Sequence, residues 1–179
     1  MALTTCSASF SSITSPTWGY EVFVSYYGDD TRTGFTDHLF AALRRSQIRT
    51  FRDDTEIERG NDIWTDLEKA IEMSRIAVIV FSRNYAASSW CLKELEKIME
   101  CKRGLQQIVV PVFYDVRPSK VRALEGNLAE VFASHMEHFG EDKLKRWRAA
   151  LTEAANSIGR LGLAKCRKSV NSFSCLNTQ

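Results

Sequence analysis

The segment Ile76-Ala-Val-Ile-Val-Phe81 is an unbroken apolar run rich in β-branched side chains. A strand with one wet face alternates apolar and polar residues, so a continuous run marks a strand covered on both faces. That requirement excludes most all-β and all-α arrangements, because helices must pack on each side of the sheet. Three further runs fit beside it: Tyr20–Ser25, Ile48–Phe51 and Ile108–Tyr114. Between them the apolar residues recur at helical spacing. Phe35, Leu39, Ala42 and Leu43 predict one helical face, and Ile63, Leu67, Ala70 and Ile71 a second. Leu92, Leu95 and Met99 predict a third, and two closing helices are expected over about 128–138 and 142–157. Pro111 lies inside the last run and argues for an edge or bulged strand. A fifth strand near Leu124 is expected but forms no visible run.

Strands alternating with helices predict an α/β fold with a parallel sheet. In such sheets ligands bind beyond the carboxyl ends of the strands. The loops to examine are therefore 26–30, 52–61, 82–89 and 115–118. The 179 residues suit one domain with tails. Residues 1–17 are rich in Ser and Thr with no acidic residue, which predicts a disordered lead-in. A transit peptide would carry arginine, and none precedes Arg32. Residues 163–179 show no period and read as a disordered tail.

Composition narrows the setting. Net charge is +2, too small to be a nucleic-acid footprint. No stretch approaches the ~20 apolar residues that span a bilayer. The five cysteines are odd in number and none are spaced C-x-x-C, which disfavours a disulfide framework and fits a reducing compartment. The cytoplasm is the expected location, with the nucleus as an additional one.

Several chemistries are tested against the motifs. No G-x-x-x-x-G-K-[ST] loop and no G-x-G-x-x-G after the first strand occurs, which removes P-loop and ordinary dinucleotide sites. Asp29 and Asp30 suggest a phosphoacceptor pocket, but Ser82 stands where its acceptor aspartate would be. His135 and His138 lie three apart without a third ligand and read as a solvated pair; no metal is implied. Lys143, Lys145, Arg146 and Arg148 read as a solvated face, with a phosphate patch as the alternative.

The stretches YEVFVSYYGDDTR (20–32), FTDHLFAAL (35–43), IRTFRDD (48–54), AVIVFSRNYAASSWCLKELEKIMEC (77–101), VVPVFYDVRPSKVR (109–122) and RWRAALTEAAN (146–156) carry a resemblance. Together with ERG (58–60), they resemble plant Toll/interleukin-1 receptor (TIR) domains over about residues 18–162. The resemblance implies a flavodoxin-like three-layer sandwich with four to five strands in the order 2-1-3-4-5. It also implies a TIR-only or truncated form of a nucleotide-binding leucine-rich-repeat immune receptor. The activity it implies is NAD+ cleavage to nicotinamide and ADP-ribose or cyclised products, in immune signalling and cell death after self-association. NAD+ is then a substrate, and no cofactor is implied.

Residue by residue, the family acid of the W-C-L-x-E-L motif falls on Glu94. On the residues alone, Glu94 is a solvated position of a charged helix beside Glu96 and Glu100. Trp90 lies four residues earlier on the same helical face and would wall the nicotinamide pocket, or else pack in the core. Ser88 matches a family polar position that binds nucleotide, or it caps the helix. Cys91 fits a small buried residue. Tyr27 and Gly28 supply the loop after the first strand; Tyr27 stands where many relatives carry arginine, and a phenol supplies no positive charge to phosphate. The charged loop 52–61 corresponds to the family's subunit-contacting loop. Asp37 and His38 fall at a family self-association position, with Asp37 replacing the serine common there. A non-catalytic adaptor that binds other TIR domains is the alternative function, and nucleic-acid processing by a filament a weaker one.

Overall fold

The computed structural model describes residues 18–51 and 63–157. The expectations for 1–17, for the loop 52–61 and for the tail 163–179 lie outside the described residues. Three parallel strands form the sheet: β1 (Tyr20–Tyr26), β2 (Ser74–Phe81) and β3 (Ile108–Phe113). β2 is central, pairing Val24 with Val78 on one side and Val78 with Val110 on the other. It is the strand that the unbroken apolar run demands, since both its faces and both its edges are covered.

The run Ile48–Phe51 makes only one parallel bridge, Thr50 to Val22, on the outer edge of β1. Its spatial place agrees with the expected order. Its shortness has a local cause: the Arg49 carbonyl accepts from both Glu21 N (2.8 Å) and Val22 N (3.3 Å), so the pairing is too irregular for a ladder. No fifth strand occurs among the described residues. Leu124, near which it was expected, instead ends a short helix in the left-handed conformation (φ 51°, ψ 59°), with its side chain buried.

Seven helices join these strands among the described residues. α1 (Gly28–Thr31) leads through a π-helical turn at Arg32–Thr36 into α2 (Asp37–Arg45). α3 (Ile63–Glu72) precedes β2, and α4 (Ser89–Gly104) follows it. After β3 come α5 (Pro118–Ala123), α6 (Asn127–Ala133) and α7 (Met136–Ala155). The wide turn before α2 shifts the helix phase. Thr36, Phe40 and Leu43 are buried, whereas Phe35, Leu39 and Ala42 of the predicted face are only partly so. On α3, Leu67, Ala70 and Ile71 are buried as predicted, but Ile63 in its first turn is exposed. The helix predicted to reach residue 138 stops at Ala133, and Gly140 (φ 72°, ψ 167°) breaks the start of α7.

Successive strand residues face opposite layers. Val22, Val24 and Val80 pack on Phe40 and Leu43 of α2. Phe23, Ala77, Ile79 and Phe81 face the larger core with Leu92, Leu95, Ile98 and Met99 of α4 and Trp147 and Leu151 of α7. Each of those α4 side chains is fully buried, which stabilises the fold by about 1.5–3 kcal/mol apiece. This three-layer packing fixes α4 rigidly beneath the carboxyl ends of β1 and β2.

Candidate active site

The crevice begins where β1 ends. After Tyr26 the chain turns sharply: Asp30 N and the Thr31 hydroxyl both bond to the Tyr27 carbonyl (3.3 and 3.1 Å). Gly28 leaves little space here: a Cβ would lie 3.2 Å from Nε and Nη2 of Arg32, and the exposed guanidinium would have to shift by a few tenths of an ångström. Arg32 folds back with its guanidinium carbon 6.0 Å from the centre of the Tyr26 ring. Tyr27 donates its hydroxyl to Asp29 Oδ2 (2.9 Å). That bond, then partial burial and the charges of Asp29 and Asp30, push the phenol above its usual range. Tyr27 thus stays a neutral donor directed to its own loop.

Asp30 ties this loop to the one after β2, accepting from Asn84 N (2.8 Å) and Asn84 Nδ2 (2.9 Å). Burial pushes its carboxyl up, but the neighbouring Ser82 hydroxyl and the two Asn84 donors outweigh that and hold it below the ordinary range. The Ser82 approach falls short of a formed hydrogen bond. An exposed ion pair, Arg83 to Asp115 (2.9 Å), links the β2 loop to the β3 loop in turn. The three described crevice loops are therefore cross-tied. Nothing in the spacing of these polar residues along the chain signals the links.

α4 starts under this rim. Ser88 caps it, accepting from Cys91 N (3.3 Å), so the capping role is filled. Cys91 is buried and directs its thiol to the Tyr26 carbonyl (3.5 Å). The fully buried Tyr85 hydroxyl meets Ser25 Oγ (2.8 Å) and donates to the Cys91 carbonyl (3.1 Å). Burial pushes the Tyr85 phenol well up, with Cys91 and Glu94 adding to the rise. This buried network, which periodicity cannot reveal, pins the first turn of α4 to β1.

One turn further along α4 stands Glu94. It is half-buried and lines a cavity of about 20 Å³ with Phe23, Val24, Tyr26, Phe40, Phe51 and Leu67. Among the described lining residues it is the one carboxylate. Such a volume holds about one water molecule, so a nucleotide would meet Glu94 from the mouth rather than inside this cavity.

Trp90 is 45 % exposed and so is not a core residue. Its ring lies 5.8 Å from that of Trp64 on α3, and Lys93 Nζ sits over both indoles, 5.1 Å from Trp90 and 5.7 Å from Trp64. Trp64 and Lys93 were not singled out from the sequence. The signal was available: Trp64 stands at the start of a helix, three residues before the buried Leu67 and on the same face.

The remaining candidates lie elsewhere. Asp37 and His38 are exposed at the start of α2, and Asp37 borders a surface groove of about 490 Å³ with Phe40, Arg44 and Thr50. His135 is not a solvated partner of His138. It is half-buried, bonds through Nε2 to the Ala86 carbonyl (3.0 Å) and meets the Trp147 ring edge-on. The basic cluster is largely matched by acids: Lys143 and Arg146 bond to Glu96 (2.7 and 2.9 Å), and Lys145 to Glu141 (2.9 Å). Among the described residues no group of His, Cys, Asp and Glu could hold a metal ion, and no helix is long and apolar enough to cross a membrane.

A parallel α/β domain with cross-tied crevice loops and a carboxylate on the helix beneath them defines a flavodoxin-like class. Residues 19–173 match the family described as TIR domain. The chain belongs to that family. It is 54 % identical over 163 residues to disease resistance protein RPV1 of Vitis rotundifolia, covering 89 % of this chain and 12 % of the relative. It is 57 % identical over 143 residues to disease resistance protein RUN1 of the same species (78 % and 11 %). It is 50 % identical over 151 residues to TMV resistance protein N of Nicotiana glutinosa (83 % and 13 %). The chain thus spans about an eighth of the length of these relatives. Among solved structures it resembles the TIR domains of the activated Roq1 resistosome, which directly recognises the pathogen effector XopQ. That match has 46 % identity, covers 87 % of this chain and 99 % of that one, and has a TM-score of 0.74.

Proposed function

We propose that this domain cleaves NAD+ at the nicotinamide–ribose bond, in plant immune signalling and after self-association. The observation that carries the reading is Glu94, the one carboxylate among the described residues that line the cavity beside the crevice. Nicotinamide leaves NAD+ as a neutral molecule, so its departure needs no general acid. Bond breaking leaves oxocarbenium character on the ribose, and a fixed carboxylate in a poorly hydrated wall stabilises that charge. Tyr85, Ser25 and Ser88 hold the helix that carries it. Water or a ribose hydroxyl then attacks the same carbon, giving ADP-ribose or a cyclised product.

Relatives named as disease resistance proteins, and a neighbour taken from an activated resistosome, support the immune setting and assembly. The test is NAD+ consumption by concentrated or crowded protein beside Glu94→Gln, which keeps the shape and removes the charge. The expected outcome is nicotinamide release by the parent and a loss of about a hundredfold or more in the variant, the scale of removing one transition-state contact. Equal turnover in both would refute the assignment.

A second reading is the non-catalytic adaptor. Tyr27 favours it, because its hydroxyl is tied to Asp29 and the β1 loop brings no arginine at that position. Assembly without any nicotinamide release would select it.

A further inference from the structure

If the site takes a dinucleotide, a cation favours its diphosphate, and beside Arg32, which folds back over Tyr26, the turn after β1 offers two aspartates and a neutral phenol. We propose that Lys93, held between Trp64 and Trp90, is the diphosphate-binding residue of this domain; the inference rests on the dinucleotide reading above.

The two indoles position the ammonium at 5.7 and 5.1 Å from their ring centres. Rings attract a cation but leave its outward N–H donors for an anion. Other described lysines of this region are already spent on acids: Lys97 bonds to Glu72 (2.6 Å) and Lys102 to Glu153 (3.2 Å). Among the described residues Lys93 has no carboxylate within ion-pair distance. The group also adjoins the Glu94 cavity. Trp90 precedes Glu94 by four residues on α4, and Trp64 precedes the cavity residue Leu67 by three on α3, so each indole lies one helical turn from a lining residue.

Charge then orients the substrate. Lys93 attracts the diphosphate and repels the cationic nicotinamide ring, while the neighbouring Glu94 favours the positive ribose carbon. The two adjacent residues read the two ends of the nucleotide in opposite sense. The exposed Trp90 face adds a flat apolar surface on which a base can stack.

The experiment titrates ADP-ribose, and adenosine as the uncharged comparison, into the parent chain, Lys93→Gln, Lys93→Arg and Arg32→Gln. Arg32 is included because it is the cation at the β1 turn. Lys93→Gln is expected to weaken ADP-ribose binding by about tenfold, the scale of one charge-assisted hydrogen bond. Lys93→Arg should restore most of it, the dependence on salt should fall, and adenosine should bind all four alike. A loss in Arg32→Gln with none in Lys93→Gln would overturn the assignment, as would ADP-ribose failing to bind the parent. NAD+ turnover separates this proposal from the one beneath it. Cleavage with an unchanged KM in Lys93→Gln would sink the subsite and leave the enzyme. Lys93-dependent ADP-ribose binding without cleavage would keep the subsite and remove the enzyme.

Discussion

Asp30 is the residue on which two crevice loops meet. Its carboxylate accepts from the backbone and the side chain of Asn84, and its pKa in the folded state is depressed below the ordinary value of 3.8. A depressed carboxyl contributes stability that is present above its unfolded pKa and lost as pH falls through the folded one. Asp30→Asn removes the charge and leaves one acceptor oxygen for the two Asn84 donors, so the second bond survives only when the Asn84 amide turns over to present its oxygen. We expect it to destabilise the domain at neutral pH by about 1 kcal/mol, the scale of a charge-assisted bond reduced to a neutral one. The difference from the parent should shrink below pH 4, where the parent carboxyl also gains a proton. Urea midpoints at pH 7 and pH 3 check this; a gap that stays constant with pH would contradict it.

At the scale of elements, two acids join α4 and α7: Glu153, which pairs with Lys102 and Arg103, and the less exposed Glu96. Glu96 accepts from Lys143 (2.7 Å), Arg146 Nε (2.9 Å) and the indole N–H of the fully buried Trp147 (3.0 Å). Burial pushes its carboxyl up, and the two cations more than reverse that. Glu96→Ala leaves the Trp147 donor without its acceptor. The expected cost is about 2 kcal/mol, read as a lower urea midpoint with an unchanged slope. Lys145→Ala, on an exposed pair, should change it by less than about 0.5 kcal/mol.

The contrast shows what a sequence can and cannot disclose. The apolar run of β2 and the faces of α3 and α4 are local periodicities, so they were legible. The altered phase of α2 was not, because a π-helical turn leaves no compositional mark before Phe40. Glu94, Ser88 and Trp90 were reached as candidates through a family motif. Glu96 looked like any other glutamate of a charged helix, since its partners lie about fifty residues away. Trp64 and Lys93 were missed for the same reason: their cluster needs α3 and α4 side by side.

For the molecule as a whole, the exposed start of α2 is the surface where the proposed assembly is tested. His38→Glu should lower the mass seen by sedimentation at high protein concentration, and NAD+ turnover should fall with it. An unchanged mass would place the contact elsewhere. The manner of assembly is constrained by β3. Tyr114 N bonds to the Phe81 carbonyl, so in the alternation of a parallel ladder Val110 and Val112 also turn toward β2, while Pro111 turns away. The outer margin of β3 therefore offers amides at Val109 and Phe113 with no donor between them. An approaching strand would find the middle donor of that side missing. Crowding many copies together, as the proposed assembly does, then favours stacking of helical and loop surfaces over open-ended growth of sheet. One proline thus bears on whether a concentrated cluster of these domains stays a reversible signal or hardens into a deposit.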